Sequence, residues 1–294
     1  MLPIGELVDA IELALATPLD APLRTSIELP DGASLLMMPA WQAGGAGGVK
    51  IVLVQPRARP SIASTYLLFD WRAGKIEAVL DGAALTPRRT AAASALAMSR
   101  LARDDASRLL VVGNGVLVPH LVEAHCTYRD IGDVAVWGRS ESGAATAVRG
   151  LIEAGFPARV ARDLDDEVGA ADIISCATLS PAPLVRGELL GEGTHLDLVG
   201  AFKPDMAEAD PQCFARASVY VDDREAALHE AGDLIQAIAA GVFSAADIRG
   251  DLADIARARQ SLRTDVREIT LFKSTGLPVE DLAAAQLLTA KLQP

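Results

Sequence analysis

The sequence predicts the α/β fold class, with a doubly wound parallel sheet and a second domain of mixed α+β structure. Three observations lead to this prediction. Apolar strand-like runs alternate with helical segments across residues 106–264, whereas residues 23–80 hold five strand-like runs with no helix between them. The third observation is the stretch Leu109–Val118, where an apolar run meets two glycines and continues as an apolar helix.

Length and composition indicate a large globular protein. The chain has 294 residues, of which 50% are hydrophobic and 22% charged, enough for one large or two medium domains. Its net charge of -12, with no basic stripe, argues against a nucleic-acid partner. No apolar run approaches the roughly 20 residues that span a bilayer, and the N-terminus lacks a secretory signal pattern. We therefore expect a cytoplasmic protein with no membrane partner.

The cysteines and histidines predict neither disulfides nor a metal site. The three cysteines are widely spaced and form no C-x-x-C pair, so we expect free thiols. Two of the histidines, His120 and His125, are five residues apart, a spacing that fits helix-surface residues better than zinc ligands.

The first part of the chain predicts a helix followed by a mostly antiparallel sheet. Apolar residues recur at helical spacing over Pro3–Ala16, which indicates an amphipathic helix. Thr86 and Pro87 are residue types of a helix N-cap and first turn, so the next helix is predicted at Arg88–Ala102. Between the helices, strands are predicted at Leu23–Leu29, Ser34–Met38, Val49–Val54, Thr65–Phe69 and Lys75–Leu80.

The second part predicts six parallel strands, with helices between most of them. A helical pattern over Ala226–Arg259, a strand at Ile269–Lys273 and a last helix at Val279–Lys291 follow. The six strands are Arg108–Val112, Asp133–Trp137, Ala158–Ala161, Asp172–Cys176, His195–Val199 and Ser218–Val221.

The two glycines after the first parallel strand indicate a Rossmann-type NAD(P)-binding unit. Gly113 permits a tight turn, and Gly115, which has no Cβ, lets a pyrophosphate approach the backbone. The helix predicted to begin near Val116 offers that pyrophosphate its N–H groups and the positive end of its dipole. Val118 stands where the motif usually has a third small residue.

The end of the second parallel strand favours NADP(H), with NAD(H) possible. NAD-binding units usually close this strand with an acid for the ribose hydroxyls, but Asp133 opens the strand. Arg139 and Ser140 follow its end, and a guanidinium there can bind a 2′-phosphate in bidentate fashion. Arg139 is otherwise explained as a solvated residue at a strand end.

Three cationic residues stand out in the first part of the chain. Arg24 lies in the first predicted strand and Lys50 opens an apolar run. Arg89 falls in the first turn of a predicted helix, whose dipole disfavours positive charge. Exposure or a salt bridge would explain each of them taken singly.

Five groups of motifs, spread along the chain, are similar to those of a known family. They are Met38-Pro39-Ala40 with Gly48-Val49-Lys50, Leu85-Thr86-Pro87-Arg88-Arg89-Thr90-Ala91-Ala92, Gly113-Asn114-Gly115, Ala171-Asp172-Ile173 with Ala177-Thr178, and Thr270-Leu271-Phe272-Lys273-Ser274-Thr275-Gly276. On these motifs, the sequence resembles the ornithine cyclodeaminase and mu-crystallin family of ketimine-handling proteins over nearly its whole length. The resemblance implies a homodimer, with the dinucleotide bound by residues 106–264. Residues 1–105 together with 265–294 are then the substrate-binding and dimerisation domain.

The resemblance also implies roles for individual residues. Those matching Arg24, Lys50 and Arg89 hold the α-carboxylate of an amino or imino acid facing the nicotinamide, and Lys50 is also a candidate catalytic proton donor. Thr65 is expected to line the same pocket. The expected cofactor contacts are Gly113, Asn114, Gly115, Val116, Arg139, Ser140, Ala177, Thr178, Ser274 and Gly276.

One position separates the branches of this family. Its deaminating members carry an aspartate two residues after the glycine that ends the fifth strand, where this chain has Phe202 after Gly200. A phenyl ring cannot take a proton. The segment resembles instead the cyclic-ketimine reductases, NAD(P)H-dependent oxidoreductases that reduce Δ1-pyrroline-2-carboxylate to proline and Δ1-piperideine-2-carboxylate to pipecolate.

Two other functions stay open at this point. One is ornithine cyclodeamination with catalytic NAD, and the other is non-catalytic NADP(H) binding like that of mu-crystallin. His195 has a suitable pKa for a proton donor but begins its strand, away from the carboxyl ends where sites gather. Asp205 and Glu208 lie past the correct end, where helix capping and ion pairing also explain them.

Overall fold

The computed structural model describes residues 2–58 and 62–292 of the chain. The chain forms two compact units. The first, which we call the antiparallel unit, contains residues 1–93 with 276–294, and the second, the parallel unit, contains residues 94–275.

The antiparallel unit is a sheet with a helix at each end of its sequence. Helix α1 (Ile4–Ala16) buries the apolar stripe that predicted it. The strands are β1 (Leu19–Asp20), β2 (Thr25–Glu28), β3 (Ser34–Gln42), β4 (Ala46–Val54), β5 (Ile62–Asp70) and β6 (Lys75–Asp81). The sheet has the order β1-β3-β4-β5-β6, with β2 also paired to β3, so the five predicted strands are confirmed and β1 is added to them.

The last helix, α10 (Pro278–Leu292), forms part of the core of this unit. It packs against α1 and against β3, β4 and β5, and its residues from Pro278 to Ala285 are buried. Glu280 and Asp281 lie in its first turn, and both are 0% exposed. Buried carboxylates need cationic or hydrogen-bonding partners, so this helix start must meet such partners in the unit.

Helix α2 (Gly82–Leu101) begins directly after β6. Asp81, the last residue of that strand, caps it: its Oδ1 accepts hydrogen bonds from the N–H groups of Ala83 (2.8 Å) and Ala84 (3.3 Å). The cap is an acid that also closes a strand, which is why the helix start was not apparent in the sequence.

The predicted N-cap at Thr86 and helix start at Arg88 are therefore wrong. Thr86 and Pro87 lie inside α2, as the fifth and sixth residues of a helix that begins at Gly82. Arg89 is consequently beyond the first turn, and the unfavourable effect of the helix dipole that the sequence predicted for it does not apply.

The parallel unit is a seven-stranded sheet in which every strand pair is parallel. Its strands are β7 (Arg108–Val112), β8 (Asp133–Trp137), β9 (Ala158–Val160), β10 (Ile173–Cys176), β11 (His195–Leu198), β12 (Ser218–Val221) and β13 (Thr270–Lys273). Its helices are α3 (Val118–Tyr128), α4 (Glu141–Glu153), α5 (Leu164–Ala170), α6 (Pro211–Arg216), α7 (Arg224–Glu230), α8 (Gly232–Ala239) and α9 (Leu252–Arg257). The predicted six parallel strands are all present.

Strand β13 changes the predicted boundaries. It lies between β11 and β12 in the parallel sheet, whereas the sequence prediction grouped residues 265–294 with the other domain. The other boundary falls within α2, after residue 93 and not after residue 105. The single helical segment predicted over Ala226–Arg259 is divided among α7, α8 and α9.

The strands of this sheet lie in the order β12-β13-β11-β10-β7-β8-β9. β8 and β9 follow on one side of β7, whereas the chain then crosses to the other side of β7 to form β10, so the switch point of the topology lies between β7 and β10. Alternate residues of β7 enter different cores, Leu110 and Val112 on one side of the sheet and Leu109 and Val111 on the other. Both faces are thus covered, as in doubly wound folds, whose ligands bind at the carboxyl ends of the strands beside such a switch point.

Three smaller findings concern residues 2–58 and 62–292. No helix there is long and apolar enough to cross a membrane. No group of three or more His, Cys, Asp and Glu side chains there is arranged to hold a metal ion. Cys126, Cys176 and Cys213 are free thiols, as predicted.

Candidate active site

The glycine turn after β7 packs closely against its neighbours at Gly113 and is open at Gly115. Gly113 has φ +134°, and a Cβ on it would lie 2.7 Å from the carbonyl oxygen of Ala177. Its N–H donates to the carbonyl of Trp137 at 2.8 Å, so the turn contacts the ends of both neighbouring strands. A Cβ on Gly115 would meet no heavy atom within 4 Å, which leaves room for a phosphate at the backbone.

Helix α3 begins at Val118, later than the predicted start near Val116. Pro119 lies in its first turn, where the backbone N–H that proline lacks would have no partner within the helix. Val116 precedes the helix and is 70% exposed, whereas Val118 is fully buried and packs in the core.

The end of β8 lies beside the glycine turn. A Cβ on Gly143 would be 2.1 Å from Nδ2 of Asn114, and one on Gly138 would be 2.9 Å from the same atom. Ser140 caps α4, because its Oγ accepts a hydrogen bond from the Gly143 N–H at 3.3 Å. Arg139 is exposed next to this cap. The structure therefore brings Asn114, Arg139 and Ser140 to one edge of the sheet.

Glu208 connects the carboxyl ends of β10 and β11. Its Oε1 accepts hydrogen bonds from the N–H (2.5 Å) and hydroxyl (3.0 Å) of Thr178, and its Oε2 accepts one from the Gly200 N–H (2.7 Å). The side chain is fully buried, and burial raises its pKa to about 7. Glu208 is thus a clamp on two strand ends, a role that the sequence prediction of capping or ion pairing did not include.

Lys273 holds the end of β13 at the same edge. It forms a buried ion pair with Asp233 at 3.2 Å and also donates to the carbonyls of Leu198 and Gly200. The next residue, Ser274, is 5% exposed, and its N–H donates to the Leu198 carbonyl at 3.0 Å. Ala177, Thr178 and Ser274 therefore all lie at strand ends of the parallel unit.

In the antiparallel unit, Asp281 bridges two of the three predicted cations. Its Oδ2 accepts a hydrogen bond from Nζ of Lys50 at 2.7 Å, and its Oδ1 accepts one from Nε of Arg89 at 3.0 Å. Nη1 of Arg89 donates to Oε2 of Glu280 at 2.6 Å. Lys50 is 2% exposed and Arg89 is 5% exposed, so exposure does not explain either residue, whereas the salt bridges that the sequence left open as an alternative are present for both.

Gly276 joins the third cation to this group. Arg24 lies just before β2, and its Nη2 donates to the Gly276 carbonyl at 3.0 Å. A Cβ on Gly276, which has φ +86°, would be 2.7 Å from Nη1 of Arg89. The sequence predicted Gly276 as a cofactor contact, whereas its observed contacts are with these two arginines. We call Arg24, Lys50, Arg89, Glu280 and Asp281 the charge cluster.

Burial and mutual charge set the ionisation of this cluster. Burial and the nearby Arg89 lower the pKa of Lys50 to about 8, against the opposing effect of Asp281 and Glu280. The same two carboxylates raise the pKa of Arg89 although burial opposes its charge. The five side chains carry three positive and two negative charges when all are ionised, an excess that suits an anionic ligand.

Tyr66, and not Thr65, lies on the same sheet face as Lys50. Lys50 pairs directly with Tyr66 across β4 and β5, and directly paired residues share a face. Thr65 pairs with Ile51, points to the opposite face and is exposed, so its predicted place beside Lys50 is wrong by one residue of strand alternation. The Tyr66 ring covers Gly48, where a Cβ would be 2.1 Å from the hydroxyl.

His195 belongs to the core of the parallel unit. It is fully buried, and its Nδ1 lies 2.9 Å from the Thr270 hydroxyl. Burial lowers its pKa to about 3, so it is neutral near pH 7. This agrees with the sequence argument that set it aside as a proton donor.

Fold and site together define a class of protein, an α/β protein that combines a doubly wound dinucleotide-binding unit with a second unit holding buried cations. The chain belongs to the ornithine cyclodeaminase/mu-crystallin family, whose family model matches residues 4–293.

Relatives of this chain match it over most of their own length. It is 44% identical over 265 residues to an uncharacterised protein of Schizosaccharomyces pombe, with 86% of this chain and 80% of that protein covered. It is 37% identical over 288 residues to the Delta(1)-pyrroline-2-carboxylate reductase of Paracoccus denitrificans, with 96% and 90% covered.

Solved structures of other proteins share the fold over nearly the whole chain. The Thermococcus litoralis Delta(1)-pyrroline-2-carboxylate reductase in complex with NADH and L-proline has a TM-score of 0.93 and 30% identity, covering 99% of this chain and 93% of that one. An archaeal alanine dehydrogenase dimer with bound NAD has a TM-score of 0.90 and 27% identity, covering 98% and 91%.

Proposed function

We propose that this protein reduces the C=N bond of a cyclic α-imino acid with NADPH or NADH, converting Δ1-pyrroline-2-carboxylate to proline and Δ1-piperideine-2-carboxylate to pipecolate. The observation that carries the proposal is the convergence of Arg24, Lys50 and Arg89 on Gly276 and Asp281. Such a set of donors suits a carboxylate, and the glycine turn of the parallel unit suits a dinucleotide.

The reaction needs few groups from the protein. A bound reduced nicotinamide supplies the hydride for the imine carbon. As the C=N π bond breaks, its electron pair moves to the ring nitrogen, which takes up a proton. Lys50 can donate this proton, because a pKa of about 8 keeps it charged at neutral pH while easing its loss. Arg24 and Arg89 then hold the carboxylate and fix the α-carbon.

The relatives support reduction over the family's deamination. The Paracoccus denitrificans and Thermococcus litoralis proteins are both named as reductases of Δ1-pyrroline-2-carboxylate. Phe202 follows β11 where the deaminating members have an aspartate, and a phenyl ring cannot act as an acid or base. Formation of proline and ammonia from ornithine would favour cyclodeamination instead.

We propose NADPH as the preferred cofactor, with NADH as a second one. Support comes from Arg139, which is exposed after β8 where a 2′-phosphate would need a cation. The Thermococcus litoralis complex contains NADH, which supports use of the unphosphorylated cofactor as well.

We also propose a homodimer formed through the antiparallel sheet. Ile76 and Val79 of β6 are 64% and 66% exposed, and Leu53 of β4 is 43% exposed. Exposed apolar strand residues of this kind favour association, and the archaeal alanine dehydrogenase is described as a dimer. Light scattering after size exclusion should give twice the chain mass.

The test is a substrate panel with the purified protein. Δ1-Pyrroline-2-carboxylate and Δ1-piperideine-2-carboxylate should each cause oxidation of NADPH, which is measured as the loss of absorbance of the reduced nicotinamide. Lys50→Met should lose about 10²- to 10³-fold in kcat, the range of a general acid, with NADPH affinity nearly unchanged. Tight NADPH binding with no turnover of any imino acid would refute the proposal and favour a non-catalytic binding protein.

A further inference from the structure

Asp281 lies in the charge cluster, but the proposed function, on which this inference rests, assigns it no role of its own. We propose that Asp281 is a positioning residue that holds the Lys50 ammonium in the orientation needed for proton donation and carboxylate binding. It acts through Lys50 and Arg89, since its two oxygens contact these two side chains at 2.7 and 3.0 Å.

The fold gives Asp281 little freedom to do anything else. It lies in the first turn of α10, which packs on β3, β4 and β5, and it is 0% exposed. Lysine has a flexible four-carbon stem and a charge without directional preference, so it needs an external group to fix it. A carboxylate anchored on a buried helix start, where the helix dipole favours negative charge, is such a group.

The second effect of Asp281 is electrostatic. Lys50 and Arg89 are like charges buried in one cluster, and Asp281 lies between them. The charged and titratable groups facing Lys50 are Arg89 from α2, Glu280 and Asp281 from α10, and Tyr66 from β5. Arg89 and burial lower the pKa of Lys50, and Asp281 opposes them more strongly than Glu280 does. Removing the Asp281 charge should therefore lower this pKa further.

The experiment compares Asp281→Asn with Glu280→Gln. The two residues are neighbours in the same helix turn, both are 0% exposed, and both substitutions remove one negative charge. Asp281 contacts Lys50, whereas the Glu280 carboxylate is bound by Arg89 at 2.6 Å. Glu280→Gln is thus a matched control for the loss of a buried ion pair in this cluster.

Two pH profiles are measured for each variant. One is kcat/KM for Δ1-pyrroline-2-carboxylate, and the other is the affinity for L-proline with the oxidised cofactor, which needs no turnover. In Asp281→Asn the basic limb of both profiles should move down by about one pH unit, the size of a lost opposite charge at this distance. Its kcat should fall about 100-fold, with KM for the reduced cofactor within twofold of the parent value. Glu280→Gln should move the limbs by less than half as much.

Asp281→Glu is the second variant, because it keeps the negative charge and changes only the length of the side chain. It should leave both basic limbs in place but reduce kcat at least tenfold, since the longer side chain displaces Lys50. Full kcat in this variant, or equal limb shifts in Asp281→Asn and Glu280→Gln, would overturn the inference while leaving the proposed reductase intact. A parent protein that neither binds L-proline nor reduces either imine would overturn both.

Discussion

Tyr66 faces Lys50 directly on the neighbouring strand, and its hydroxyl is fully buried without a hydrogen-bond partner within residues 2–58 and 62–292. Leaving a buried hydroxyl unsatisfied costs roughly 1–3 kcal/mol. Burial, with Asp281 nearby, raises the pKa of this phenol, so it stays protonated and available as a donor. We expect an imino-acid ligand in the charge cluster to provide the partner.

Tyr66→Phe should therefore weaken substrate binding without weakening the fold. We expect KM for the imine to rise about five- to tenfold, the worth of one hydrogen bond. The melting temperature should stay the same or rise, because an unsatisfied buried group is removed. Tyr220→Phe, a buried tyrosine of the parallel unit, is the control and should leave KM unchanged. A lower melting temperature with an unaltered KM would contradict this role.

Gly48 is predicted to be intolerant of even a methyl group. A Cβ there would lie 2.1 Å from the Tyr66 hydroxyl and 2.5 Å from Cζ of the same ring, so Gly48→Ala must displace a packed aromatic. Overpacking of this kind costs about 1–3 kcal/mol, measurable by denaturant unfolding. Gly5→Ala, in α1 of the same unit, meets no atom within 4 Å and should be neutral or stabilising. Equal stability of the two variants would show that the ring moves freely.

Arg139 is predicted to discriminate between the two dinucleotides. Arg139→Ala should raise KM for NADPH about 10- to 100-fold, because a charge-assisted bond to phosphate is worth roughly 1.5–3 kcal/mol. KM for NADH should change less than twofold, since that cofactor has no 2′-phosphate. Arg162→Ala, a second exposed arginine of the parallel unit, is the control. A parallel rise for both cofactors would remove Arg139 from the phosphate site.

His195 makes the stability of the protein depend on pH in a defined direction. Its pKa is about 3 in the folded state against 6.5 in the unfolded chain, so the unfolded state binds the extra proton below pH 6.5. Its contribution to the unfolding free energy therefore falls as pH decreases from 6.5 towards 3. His195→Asn should flatten this decline by up to about 1.4 kcal/mol per pH unit. Denaturant unfolding at pH 7, 6 and 5 measures the slope, and unchanged slopes would mean that His195 titrates normally.

The strands of the parallel unit were predictable because their signal is local. Buried parallel strands are short, nearly unbroken apolar runs, and three of them have the predicted bounds: Arg108–Val112, Asp133–Trp137 and Ser218–Val221. The start of α2 was not predictable in this way, because Asp81 belongs to a strand and a cap together. Thr65 was misplaced because strand alternation turns an error of one residue into the wrong face.

The acids of the charge cluster could not be predicted from local pattern. Glu280 and Asp281 have an ordinary explanation as acids at a helix start. The residues that follow them, Leu282 and three alanines, are apolar on every side of the helix, which is typical of a buried helix. That signal indicates burial, but it cannot show that Asp281 meets Lys50, 231 residues away in the chain.

The antiparallel unit is assembled from two segments that lie on either side of the parallel unit in the sequence, and this has a consequence for biosynthesis. Residues 94–275 are continuous and can begin to fold while the ribosome is still translating. The sheet of residues 1–93 has no such independence, because α10 supplies part of its core and the counter-ions of Lys50 and Arg89. We expect the nascent chain to expose an incomplete sheet with unpaired buried charges until the last helix has been synthesised, so that a product lacking α10 would be aggregation-prone.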